Sequence, residues 1–327
     1  MKIRKPLGFC LFGFVVAVVG IMVANNCVFL GKRTPSRPEL LAHRGLAQTF
    51  DIEKVKWDTN TARLIHKPVY DHIENTIASM EIAFQYGADI VELDVRVTKD
   101  KQLAVFHDYL LEYRTEKSGQ VSDYTMEELK KLDVGYGYTF DNGKTYPLRG
   151  KGQGLMPSID DVLKTLKGKK FLIHIRDEGP EIGRLLLKKL EELDEEERKC
   201  ISIYGNDEAI EIIKGKYPKM MALSMKRIKK ALLEYELVGW MGIIPESMKY
   251  AEIHLPLQYA RFLWGWPTIF LDRVKKAHSR FVLVTLRGQW SGGFDNNKDL
   301  KEIPEGYNGC IWTERIDVIG KKYQRYR

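Results

Sequence analysis

From residue 40 onward the chain alternates short apolar runs with amphipathic stretches, and that alternation limits its fold more than any other feature. Runs at 40–42, 90–97, 103–106, 171–175, 201–204, 220–223, 253–255, 281–286 and 310–312 read as strands. Helical patterns at 76–86, 158–166, 181–198, 207–214, 226–237 and 271–277 lie between them. Strands separated by helices imply a mostly parallel sheet with crossover connections. Nine candidates compete for the eight places of a (β/α)8 TIM-type barrel, and one of 220–223 and 253–255 is expected to lie outside it. Polar residues at the carboxyl ends of many strands favour that barrel over an open doubly wound sheet, and no GxGxxG follows the first strand. The sequence shows no internal repeat and no low-complexity tract.

Ahead of this unit, residues 7–24 contain neither charge nor amide, and apolar character resumes at 27–30. A bilayer-spanning helix needs about 20 such residues. A cleaved secretory signal is the competing reading, but its apolar part usually runs about 7 to 15 residues, and Val23-Ala24-Asn25 is a poor cleavage site. The expected organisation is therefore a cytoplasmic start and single transmembrane anchor over 1–30, a polar linker with two prolines over 31–39, and one barrel domain over 40–327. Basic residues flank both ends of the segment, so the positive-inside rule does not decide its orientation, but an N-terminal anchor after Lys2, Arg4 and Lys5 usually keeps its start in the cytoplasm, which puts the domain on the periplasmic or extracellular side.

The formal net charge is +8, of which five units come from basic residues among the first 33, so the remainder carries only +3. Mixed charge of that size argues against a nucleic-acid partner, and nothing in the sequence calls for an obligate protein partner. Of four cysteines, Cys10 and Cys27 belong to the apolar segment. Cys200 and Cys310 open strands that are not expected to be neighbours, so free thiols are expected.

Barrel enzymes build their sites at the carboxyl ends of the strands. Here His43 and Arg44 end the first run, Glu92 and Asp94 sit in the second, His107 and Asp108 end the third, and His174 and Arg176 end the fourth. Residues i and i+2 of a strand share a face, so Glu92 and Asp94 form a paired carboxylate whose hard oxygens suit Mg²⁺ or Ca²⁺. Histidine titrates near neutrality, which fits His43 and His107 for acid and base work around such an ion. Arg44 offers a planar fork of donors for phosphate oxygens.

The order and spacing of these residues carry more than each alone. From His72 the chain reads HIENTIASMEIAFQYGADIVELDVRVTKDKQLAVFHD, preceded by LAHRG, and together these segments resemble the glycerophosphodiester phosphodiesterase family. The likeness continues through VSDYTMEELKKLD and MPSIDDVL, and more faintly through VKKAHSRFVLVTL and GCIWTERID. It implies a barrel that hydrolyses a phosphodiester bearing a glycerol-like alcohol. It further implies His43 and His107 as the catalytic pair, Arg44 on phosphate, Glu92 and Asp94 on the divalent metal, and Glu74 as a supporting residue.

The chain also departs from the family pattern. Where the family's fourth strand ends Glu-x-Lys, this chain has His174 and Arg176. His174 is either a third metal ligand that removes one negative charge and favours softer ions, or a residue merely hydrogen-bonded in its strand beside a looser two-carboxylate metal site, with Arg176 beside Arg44 on phosphate. In FVLVTLRG, Val284 replaces an aromatic wall and Arg287 is a candidate contact for an anionic headgroup. The 28 residues at 46–73, with Trp57, His66 and His72, are long for the family and read as a lid or headgroup selector rather than a plain surface excursion. Phe262, Trp264 and Trp266 would suit an acyl chain or a membrane interface, and core packing is the favoured reading.

The leading expectation is a membrane-anchored enzyme of lipid metabolism that hydrolyses glycerophosphodiesters or lysophospholipid headgroup esters. The competing readings are a phosphate-binding barrel that has lost turnover through His174, and a transferase that releases a cyclic phosphate. Keeping both His43 and His107 argues for catalysis.

Overall fold

Five residues, 98–102, separate the second and third apolar runs, and a link that short closes only an antiparallel pair. The computed structural model, which describes residues 5–27 and 37–323, shows this outcome. The strands are β1 (Glu39–Ala42), β2 (Ile90–Val97), β3 (Leu103–Val105), β4 (Lys170–Ile175), β5 (Ile201–Gly205), β6 (Ala222–Leu223), β7 (Glu252–Pro256), β8 (Arg280–Arg287), β9 (Trp290–Gly292) and β10 (Cys310–Thr313). β3 folds back antiparallel on β2 and stands outside the barrel, so the third sequence candidate is the one excluded. Both 220–223 and 253–255 contribute barrel strands, contrary to expectation. β9 likewise pairs antiparallel with β8.

The remaining strands run parallel in the order β6-β5-β4-β2-β1-β10-β8-β7, and a parallel bridge between Ala222 and Ala251 joins the two ends. Eight parallel strands thus close on themselves. The helices are α1 (Lys5–Asn26), α2 (Ile77–Tyr86), α3 (Met126–Leu129), α4 (Ile159–Thr165), α5 (Pro180–Glu192), α6 (Glu195–Lys199), α7 (Asp207–Lys216), α8 (Met225–Val238), α9 (Leu257–Ala260), α10 (Thr268–Lys276), α11 (Asn297–Glu302) and α12 (Ile316–Tyr323). The stretch at 181–198 is two helices, because Asp194 caps a new start with Glu197 in a reciprocal box.

Alternation along the strands sorts the core into two layers. Val91, Leu93 and Val95 of β2 and Phe171, Ile173 and Ile175 of β4 pack outward under the helices. Leu41, Ile90, Leu172, Val282, Cys310 and Trp312 fill the barrel interior. Glu92, Asp94 and His174 share the parity of these inward residues, so the strand period places them above the interior plug. A satellite core of Phe106, Leu111, Met126, Leu129, Tyr138, Leu148 and Met156 supports the segment after β3.

Helix α1 is apolar over Phe9–Asn26 and none of that window is buried. By length and composition it is able to cross a membrane, a test that a signal sequence near an N-terminus also passes. Most of the expected linker at 31–39 falls outside the described residues. Cys10, Cys27, Cys200 and Cys310 are all free thiols.

Candidate active site

The turn after β1 takes two left-handed steps in succession, with φ of 57° at Arg44 and 81° at Gly45. A Cβ on Gly45 would sit 2.6 Å from Ser79 Oγ and 2.7 Å from the Ser79 carbonyl carbon, so this position in His-Arg-Gly requires glycine. The turn seats Arg44 against the start of α2. There Thr76 caps the helix by accepting from Ser79 N, and Asn75, at φ 59°, donates from Nδ2 to Asp94 Oδ2 at 2.9 Å. The Glu-Asn-Thr segment is thus a helix cap that also braces β2.

The register of the parallel strands sets Asp94 beside His174, and His174 beside Tyr204. His174 Nδ1 lies 2.9 Å from Asp94 Oδ1, and its ring stacks on Tyr204 at 4.0 Å. Tyr204 donates its hydroxyl to Glu92 Oε1 at 2.6 Å, and Arg44 N donates to Glu92 Oε2 at 3.1 Å. Ligand-type atoms of Glu92, Asp94 and His174 all lie within 4.8 Å of one another. Burial, and then the charge of Asp94, push the Glu92 carboxyl up to about 7, while Arg44, His107 and His174 hold Asp94 well below the usual carboxylate range against its burial. Burial outweighs the Asp94 contact at His174 and lowers the imidazole to about 4.

His43 and His107 are each held at Nδ1 by a carboxylate. His43 Nδ1 is 2.7 Å from both oxygens of Glu314, which follows β10, and His107 Nδ1 is 2.9 Å from Asp108 Oδ1. His107 follows the β3 hairpin and not a barrel strand. It stays at the mouth because Phe106 N donates to Asp94 O, and because Arg96, itself paired with Asp177, donates to the His107 carbonyl. Against its burial, Glu314 raises His43, whereas burial and Arg44 lower His107 to about 4.

Arg44 touches His43 and is within electrostatic reach of His107. It donates from Nε to His43 Nε2 at 3.1 Å and from Nη1 to Glu74 Oε1 at 3.1 Å. Glu74 and Asp108 share Arg114, whose Nε donates to Asp108 Oδ2 at 2.5 Å and whose Nη2 is 3.4 Å from Glu74. Arg176 Nε is 3.9 Å from Asp94 Oδ1 and is buried without a hydrogen-bond partner.

All eight residues singled out in the sequence therefore gather at one end of the barrel. The sequence reading gave no role to Glu314, Asp108, Arg114, Tyr204 or the Arg96–Asp177 pair. Glu314 carried a usable signal, since it stands two residues beyond interior Trp312 at a strand end. Arg287 is not free for a headgroup, because Asp299 accepts from it through both carboxylate oxygens at 2.9 Å. The 46–73 segment is an ordered strap. Gln48 donates to Tyr70 O and His72 O, Phe50 pairs with Ile65, and Trp290 Nε1 donates to Val55 O.

Residues 43–284 match the model of the glycerophosphoryl diester phosphodiesterase family. A glycerophosphodiester phosphodiesterase of Caldanaerobacter subterraneus is 36% identical over 140 residues, covering 41% of this chain and 53% of that one. A human lysophospholipase D is 27% identical over 195 residues, covering 57% of this chain and 58% of the relative. The chain spans about half the length of the curated relatives it matches. Among solved structures, a glycerophosphodiester phosphodiesterase of Agrobacterium tumefaciens superposes with a TM-score of 0.58 at 20% identity, covering 87% of this chain and 99% of that one. A phosphodiesterase of Oleispira antarctica in complex with the product sn-glycerol-3-phosphate gives 0.52 at 17%, covering 86% and 95%. These structures share the barrel fold. With the family model covering most of the described barrel, the chain belongs to the glycerophosphoryl diester phosphodiesterase family.

Proposed function

We propose that this protein is a metal-assisted phosphodiesterase that hydrolyses glycerophosphodiesters or lysophospholipid headgroup esters, with His43 and His107 as its acid/base pair and α1 as its membrane anchor. What supports this reading is a pair of carboxylate-held histidines beside the Glu92, Asp94, His174 group, His43 in contact with Arg44 and His107 within electrostatic reach of Arg44 and Asp94. Binding alone gives no reason to hold two imidazoles in this way.

The residues fit a divalent ion. Two carboxylates and an imidazole converge, and the burial and the Asp94 charge that push Glu92 up are a cost that a cation between the two acids would relieve. The oxygens suit Mg²⁺ or Ca²⁺, and His174 moves the preference toward ions that accept nitrogen. When bound, such an ion polarises a phosphoryl oxygen and steadies the charge that develops there.

The remaining work falls to side chains. Arg44 and the unpartnered Nε of Arg176 hold the other phosphate oxygens, and Glu74 keeps Arg44 in place. Glu314 and Asp108 hold Nδ1 of each histidine, so Nε2 is the nitrogen that moves protons, at His43 once Arg44 Nε has turned from it to the phosphate. One histidine takes the proton of the attacking water as the new P–O bond forms. The other returns a proton to the leaving alcohol oxygen as the old P–O bond breaks, giving the free alcohol and glycerol 3-phosphate, or the acylated glycerol 3-phosphate when the substrate is a lysophospholipid.

The test is hydrolysis by the full chain of a panel of glycerophosphodiesters and lysophospholipids, with and without divalent ions, followed by phosphorus NMR of the products. Turnover that chelator abolishes, with a phosphomonoester as product, supports the reading. No turnover with any ion, or a cyclic phosphate as the end product, overturns it.

A further inference from the structure

The carboxyl end of α1 is fastened to the barrel. Arg273 of α10, only 7% exposed, donates from Nη2 to Asn25 O at 2.7 Å and from Nη1 to Asn26 Oδ1 at 3.2 Å. The same guanidinium donates to Tyr235 Oη of α8 at 2.7 Å and to Gly239 O at 3.0 Å. Asn26 Nδ2 donates to Trp240 O at 2.9 Å, and a Cβ on Gly242 would come within 2.5 Å of Asn25 Oδ1. A cation on the last carbonyls of a helix is the favourable end for its dipole. Arg273 thereby fixes which face of the barrel lies next to α1.

That face is unusually apolar for a surface. On α8, Ile228, Ala231 and Tyr235 are buried, and the outer stripe runs Lys226, Lys229, Lys230, Leu233, Leu237 at helical spacing. Leu233 is 64% and Leu237 65% exposed, and Ile243, in the turn that follows α8, and Phe262, two residues before Trp264, are 48% and 76% exposed. The half-exposed indoles of Trp240 and Trp264 are pinned to the same helix end, donating to Leu237 O and Glu236 O at 3.0 Å. The stripe is graded. Its apolar half lies at the α1 end and its lysines lie about 16 Å further along at most, for 11 residues of helix rise. Glu236 is the exposed acid on the apolar half, and Glu234 lies 3.8 Å from Lys230.

We infer that the carboxyl half of α8, the turn at 239–243 and Phe262 form a docking surface that lies on the lipid leaflet α1 enters, with the α8 lysines against anionic headgroups. The inference rests on reading α1 as an anchor. Lipid is the occupant because the surface continues directly from the end of the apolar helix, because indoles ring it, and because its charge runs from apolar to basic away from that helix. The barrel is thus held to the bilayer by two contacts and cannot swing freely on a tether.

The experiment uses the full chain, with Cys10, Cys27 and Cys200 replaced by serine, reconstituted in vesicles of phosphatidylcholine and phosphatidylglycerol. Spin labels are placed singly through Leu237→Cys, Phe262→Cys and, as a solvent control on the lobe after β3, Ser122→Cys. Collision rates with oxygen and with a water-soluble nickel chelate are then measured. Docking predicts an oxygen-to-nickel ratio at Leu237 and Phe262 about tenfold above that at Ser122. Nickel access equal to that at Ser122, in a chain that resists carbonate extraction, overturns docking while leaving the anchor standing. Low access to both reagents means that protein covers the face, for example a second copy, and also overturns it. Release of the chain by carbonate overturns the anchor and the docking surface together.

Discussion

Two groups of one histidine and two carboxylates sit at the mouth of this barrel: Glu92, Asp94 and His174 in one, Glu74, His107 and Asp108 in the other. Side-chain inventory does not separate them, but their cations do. Glu74 and Asp108 grip a buried arginine, Arg114, so their charges are already answered by the protein. Glu92 and Asp94 share Arg44 with Glu74, and Glu92 is pushed up to about 7 by burial and by its neighbour. Among the described residues Glu92 has no guanidinium contact of its own, so an ion is favoured beside it, while the arginine-clamped acids orient a side chain. We therefore propose that the metal belongs to the first group and that the second holds His107.

The largest effect should come from the histidines themselves. His43→Ala and His107→Ala should each lower kcat by about 100- to 10,000-fold, with metal affinity by calorimetry unchanged. A variant that keeps full turnover removes that histidine from the mechanism.

Next come the carboxylates, where the two groups should diverge. Asp108→Asn weakens the partner of a buried guanidinium and should cost about 3 to 5 kcal/mol in denaturant unfolding while the protein still binds metal. Asp94→Asn should instead abolish metal binding. Equal effects of the two substitutions on metal binding would erase the distinction.

His174→Glu supplies a harder ligand and should raise Mg²⁺ affinity relative to Mn²⁺ by about tenfold. An unchanged ratio means His174 is not a ligand.

The smallest effect is in pH dependence, and Asp108 and Glu92 should differ in sign. Against its burial, Arg114 holds Asp108 low, so its stabilisation is present above the ordinary carboxylate range and is lost as pH falls. Glu92 is raised, so its contribution is present below its unfolded value of 4.5 and is lost as pH climbs to about 7. In chelator, Glu92→Gln should therefore be more stable than the parent at pH 8, with the gain vanishing near pH 4.5. A gain that persists at low pH would show that repacking, not charge, is responsible.

The fold was legible where one rule sufficed. The period-2 strand pattern places Glu92 and Asp94 on one inward face, and the strand-end rule finds His43, His174 and, had it been applied to the last strand, Glu314. The barrel role of 103–106 was misjudged because apolar content was weighed and the five-residue link before it was not. The Arg114 clamp was not legible, since its bonds to residues 74 and 108 exist only once the β3 hairpin and the satellite core are packed. Arg287 misled for the same reason, as its partner Asp299 lies beyond a hairpin that no sequence pattern announced.

The central claim is that the ion sits between the strands and not at the arginine-clamped group. Anomalous diffraction from crystals soaked in Mn²⁺ tests it directly. A single peak within about 2.5 Å of the carboxylate oxygens of Glu92 and Asp94 is the predicted result. A peak between Glu74 and Asp108, or none near either group, would contradict it.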